Sequence, residues 1–114
     1  MIQTVYSIIG DLAPTQYINR PDLGTSNIVI SYHFFNESFE NYGDGKGMCQ
    51  GGTLQVDVFS TVDYYTVVTQ IKQRLIGNNF RFSGSYDSND SVGTTNLYHK
   101  VILFNYTESE VKNV

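Results

Sequence analysis

The sequence predicts an α+β fold: a mostly antiparallel sheet of four to five strands with two helices packed on one face. Three observations carry that expectation. Several segments alternate in hydropathy with the two-residue period of a strand. One stretch, and a shorter one near the start, repeats its apolar residues at helical spacing. The resulting order, α, (β), β, β, α, β, β, lets neighbouring strands pair as hairpins and leaves the helices one sheet face to cover. At 114 residues the chain is expected to form a single domain, 1–114.

The elements follow in chain order. In QTVYSIIGDL, Val5, Ile8, Ile9 and Leu12 fall at i, i+3, i+4 and i+7, which predicts a short helix over about residues 2–12, ended by Pro14. Residues 15–24 are ambiguous, with room for a short strand at Tyr17 and Ile18 before a turn at Arg20-Pro21-Asp22. Asn27–Asn36 reads as a strand: Ile28, Ile30, Tyr32 and Phe34 alternate with Val29, Ser31, His33 and Phe35. Residues 37–52, ESFENYGDGKGMCQGG, hold five of the ten glycines and predict a long connection, mobile until a partner orders it.

Thr53–Ser60 alternates Leu54, Val56 and Val58 against Gln55, Asp57 and Phe59. Ser60-Thr61 or Asp63 offers an N-cap oxygen, and Tyr64, Val67, Val68, Ile71 and Leu75 form the stripe of the second helix, with Gly77 expected as its left-handed cap. Phe80–Tyr86 predicts a strand with Phe80, Phe82 and possible company from Tyr86 on one side. The polar stretch DSNDSVGTT reads as a turn, and Asn96–Tyr106 as the last strand. The polar tail 107–114 is expected to fray.

Composition narrows the function. Apolar residues make up 40% of the chain, and nine tyrosines and seven phenylalanines favour strands. A net charge of −4 with scattered Lys and Arg argues against a nucleic-acid binder, which needs a basic patch. An acidic channel wall that lets DNA slide past is compatible with that charge. The lone Cys49 forms no intramolecular disulfide, and a reducing compartment fits it. The sequons at Asn36, Asn89 and Asn105 are at the level of chance in an Asn-rich chain. The start, MIQTVYSIIG, lacks the charged and long apolar regions of a signal peptide, and no apolar run approaches a membrane span.

No motif points to an active site. GDGKG at 43–47 lacks the spacing and the strand-to-helix context of a phosphate loop. Asp87–Gly93 lacks the glycine and the bidentate glutamate of a calcium loop. His33 and His99 both sit mid-strand and can be cross-strand neighbours, yet a metal site needs a further ligand. Cys49 lies in a glycine-rich segment with no helix start to activate it. Asp57 reads as a structural charge at a rim or interface, paired with Lys or Arg from a neighbouring strand or subunit. The expectation is therefore no enzyme, no cofactor and no metal.

Three pieces carry a resemblance: Leu54-Gln55-Val56-Asp57-Val58-Phe59-Ser60, Tyr64-Tyr65 with the helix that follows, and Leu97-Tyr98-His99-Lys100. QTVYSIIG and Tyr32–Asn36 extend it over nearly the whole chain. The sequence resembles the tail-terminator (tail completion, tail-to-head joining) proteins of long-tailed siphophages, especially those of Gram-positive hosts. The resemblance implies an α+β virion subunit that closes into a hexameric ring. That ring caps the tail tube protein, ends its polymerisation and meets the head connector or stopper protein, while genomic DNA passes through the lumen without specific binding. It implies assembly surfaces at Glu37, Glu40, Asp44 and Lys46 in the long connection, and at Asp57, Tyr98, His99 and Lys100. The alternatives are a head-completion protein on the portal, or a small ligand-binding domain or enzyme using His33, His99 and Asp57.

Overall fold

A computed structural model describes residues 1–42, 47–89 and 97–111. Helix α1 (Ile2–Ile9) is followed by strands β1 (Thr15–Tyr17), β2 (Ile28–Tyr42) and β3 (Gly47–Ser60). Helix α2 (Tyr65–Gly77) and strands β4 (Arg81–Asn89) and β5 (Tyr98–Thr107) complete the fold, with a single 3-10 turn at Glu108–Glu110. The five strands form one sheet in the order β1-β2-β3-β5-β4, antiparallel throughout except for the parallel β1–β2 pair. The α+β expectation holds, with both helices on one face.

Alternation decides which residues meet the helices. Ile30, Tyr32, Leu54, Val56, Val58, Ile102, Phe104 and Tyr106 point to the helix side and are buried with Val5, Ile8 and Ile9 of α1 and Val68, Ile71 and Leu75 of α2. Rings continue the core along its length. Tyr17 lies 6.0 Å from Phe34, Phe34 lies 5.6 Å from Tyr106, and Tyr106 lies 5.8 Å from Phe80, all within the range where tilted and edge-on pairs attract. Two polar ties fix α1 to this core. The Tyr32 hydroxyl donates to Ile2 O at 2.7 Å, and Arg74 of α2 donates to Ile8 O at 3.0 Å and pairs with Asp11.

Several boundaries differ from the sequence reading. Helix α1 stops at Ile9, before Leu12. Of the capping oxygens offered for α2, Asp63 bonds the Tyr65 N–H at 2.9 Å, whereas Ser60 Oγ is held by the Val62 backbone. Gly77 remains helical. The left-handed residue is Asn79 (φ 71), after which the Phe80 N–H returns to Leu75 O at 3.0 Å, a reversal that asparagine tolerates almost as glycine does. The expected fraying tail is ordered as far as Val111, which is buried in the core; residues 112–114 lie outside the described residues. A register shift between Phe82 and Gly84 breaks the expected common side of β4. Phe82 meets Lys72 on the helix side, while Tyr86 stands opposite Val101 on the other.

The largest correction concerns 37–52. Most of that segment is not a loop. β2 continues to Tyr42 and β3 starts at Gly47, paired from Ser38↔Gly51 to Tyr42↔Gly47, and only 43–46 lies outside the described residues. β5 ends beside β3 at Gly51↔Thr107, so beyond that point β2 and β3 continue as a two-stranded ribbon. The ribbon leaves the sheet at a bulge. Between Phe35↔Thr53 and Ser38↔Gly51, β2 spends two residues against one of β3, with Asn36 left-handed at φ 53. Gly52 sits opposite, where a Cβ would lie 3.0 Å from Phe35 O and 3.2 Å from Tyr106 Oη. The ribbon contributes to principal extents of 59 × 23 × 20 Å.

Candidate functional site

The face of the sheet away from the helices carries the polar cluster of the molecule. On β3 the alternation that buries Val56 and Val58 turns Gln55, Asp57 and Phe59 to this side. His33 on β2 and His99 on β5 flank them. Asp57 is buried and accepts three contacts: from His99 Nε2 at 2.8 Å, and from Gln55 Nε2 at 3.0 and 3.3 Å to its two oxygens. His33 Nδ1 stands 3.9 Å from Oδ2. The His99 ring stacks on Phe59 with centroids 4.2 Å apart, and the Arg20 guanidinium lies 5.2 Å from the centre of the same Phe59 ring. Arg20 belongs to the crossover from β1 to β2, so that crossover passes over this face; it also brings the buried Pro21.

Two expectations change here. His33 and His99 are not on neighbouring strands, because β3 runs between β2 and β5; Asp57 is the residue that brings them together. Among the described residues of this chain, the donors to Asp57 are His99 and Gln55 rather than a Lys or Arg from a neighbouring strand. Chemically the cluster is a satisfied carboxyl group that ties β3 to β5 with His33 of β2 beside it, and among the described residues no group of three His, Cys, Asp or Glu is arranged to hold a metal ion.

The remaining candidates scatter. Tyr98, His99 and Lys100 are contiguous in sequence but divide across the sheet. His99 faces the Asp57 cluster, while Lys100 points to the helix side, 3.4 Å from Asp87. Tyr98 is exposed opposite Ser60. Glu37 is exposed at the bulge, and Glu40 lies in the ribbon, in register with Cys49. Asp44 and Lys46 lie outside the described residues.

A second feature corresponds to no motif in the sequence. A cleft of about 330 Å³ opens between the start of α2 and the β4–β5 hairpin, lined by Asp63, Tyr64, Lys72, Asp87 and Lys100 among others. The Tyr64 hydroxyl donates to Asp87 across it. Burial, then the bond to Asp87, pushes the Tyr64 hydroxyl up to about 12, and the Tyr64 bond holds Asp87 below the usual carboxylate range. The charges of this cleft compensate one another, and no sequence spacing announces them, since Tyr64 and Asp87 meet only through the packing of α2 on β4.

Compared with protein-family models and with curated proteins, the chain matches none.

Proposed function

We propose that this chain is the subunit of a hexameric ring that caps the tail tube of a long-tailed phage, ends tube polymerisation and joins the tail to the head connector. The single observation that carries this reading is the ribbon formed by Ser38–Tyr42 and Gly47–Gln50, which extends past the end of β5. A two-stranded hairpin in water is marginal by itself. A subunit that extends one gains from a neighbour able to cover it, which suits a protein whose work is assembly. The resemblance of the β3, α2 and β5 segments to siphophage tail terminators supplies the kind of assembly. The net charge of −4 suits a lumen through which DNA slides.

The ring would reside in the virion at the head–tail joint, with the tail tube protein on one side and the connector on the other. The test is the mass of the purified chain in solution over a wide concentration range, together with electron microscopy of the chain mixed with tail tubes. Rings at tube ends are expected. A chain that stays monomeric and leaves tube ends bare overturns the reading. Loss of the protein from an infecting phage is expected to give overlong tubes; filled heads unjoined to finished tails would point to a head-completion role.

A second reading, a small ligand-binding domain or enzyme, is favoured by one observation: His33, Asp57 and His99 meet on one face. Metal analysis and a His99→Ala variant decide it. Bound metal, or loss of an activity with assembly intact, would support it.

A further inference from the structure

Resting on the ring reading, we infer that copies of the chain join head to tail through backbone pairing between the β4 edge of one copy and the β2 side of the ribbon of the next. Among the described residues, no further strand lies along part of each sheet edge. β1 covers β2 only at Ile30–Tyr32, because the chain turns away at Ile18, a β-branched residue at φ 70 that cannot continue a strand. Beyond Tyr32 no strand of the described residues lies along that side of β2. At the opposite edge, among the described residues, β4 pairs with β5 alone.

Strand direction then selects the partner. β3 runs opposite to β2, β5 opposite to β3, and β4 opposite to β5, so β4 runs opposite to β2. A second copy added in the same orientation therefore presents its β2 to β4 in antiparallel sense, the slightly more stable pairing. The regular stretches on the two sides match: Ser38–Tyr42 follows the bulge of β2, and Gly84–Asp87 follows the irregularity of β4. Proline, one of the devices that blunt edges, is absent from both, since the prolines of the chain are Pro14 and Pro21. The two surfaces differ, so the contact is heterologous, and repetition of a heterologous contact gives a ring when the rotation closes. The bulge at Asn36 and the close approach at Gly52 set the angle at which the ribbon reaches the neighbour.

Proline substitution tests this through main-chain donors alone. In an antiparallel strand, successive N–H groups point to opposite edges. Of Ser85→Pro and Tyr86→Pro, one removes a donor from the outer edge of β4 and keeps the native circular dichroism. The same holds of Phe39→Pro and Glu40→Pro in the ribbon. Each retained variant alone is expected to run as a monomer where the wild type forms rings. Mixing a β4 variant with a ribbon variant is expected to give a 1:1 heterodimer that grows no further, because each supplies one intact edge. Variants that still form rings overturn this inference and leave the ring reading standing. Monomeric variants that do not pair on mixing overturn the head-to-tail contact. A wild type that is monomeric at the highest soluble concentration also overturns it, and tube-end binding then decides the ring reading separately.

Discussion

β3 is one strand in two environments. From Thr53 to Ser60 it has β2 on one side and β5 on the other, with Leu54, Val56 and Val58 under the helices and Asp57 tied to His99 and Gln55 on the far face. From Gly47 to Gln50 it has, among the described strands, β2 alone. The first half is held by burial, two ladders and a polar tie. The second has one ladder. The lesson is that strand geometry and strand stability are separate properties: the same backbone conformation persists along β3 while the forces behind it change at Gly51–Gly52.

The two halves of β3 should respond differently to five measurements. The largest difference is expected in amide hydrogen exchange. Amides of Leu54–Val58 should open only with global unfolding, on the order of 5 kcal/mol or more. Those of the ribbon in the free subunit should open for far less, and equal protection in both halves would refute the contrast. Leu54→Ala removes a fully buried side chain and should lower the unfolding free energy by about 2–5 kcal/mol in denaturant titration.

Gly52→Ala sits at the junction, where the added methyl meets Phe35 O, Glu37 Cα and Tyr106 Oη. It should cost about 1–3 kcal/mol, and a neutral result would show that the bulge can shift. Asp57→Ala strips the His99 and Gln55 donors of their acceptor on the far face and should cost about 1–2 kcal/mol. A cost near that of Leu54→Ala would mean the far face carries as much of the fold as the helix side.

The smallest effect concerns Tyr106, which closes the junction. Its hydroxyl is pushed up to about 12, first by burial and then by the negative charge of Glu37. The folded state therefore keeps the proton after the unfolded chain has lost it. This contribution to stability is complete below pH 10 and is lost as pH rises from 10 towards 12. A tyrosinate absorbance titration should show a late fraction, and Glu37→Gln should move it earlier. No movement would detach the bulge from the core.

Much of the fold was legible because its signals are local. The period of Leu54, Val56 and Val58 against Gln55, Asp57 and Phe59 names both faces of β3, and the spacing of Val68, Ile71 and Leu75 names the buried side of α2. The ribbon was not legible. Its glycines and acids carry neither period, and its strand form depends on β2 and β3 continuing a pairing begun at Ile28↔Ser60 in the body. The ordered C-terminal end was missed for a related reason. Val111 is one apolar residue in a polar stretch, and the core position that receives it is built by other segments.

The candidate site divides the same way. Alternation sends His99 and Lys100 to opposite faces, and that was readable from LYHK alone. That Asp57 stands between two histidines required the order β2-β3-β5, which no spacing encodes.

The class of the fold, its main strands and helices, and the core-facing side chains of β2, β3 and α2 follow from the sequence, because hydropathic period is a property of consecutive residues. Only the tertiary structure decided the strand order, the polar tie at Asp57 and the extent of the ribbon. Each of these depends on which distant segments become neighbours, and that choice is made by the burial of all the apolar faces at once.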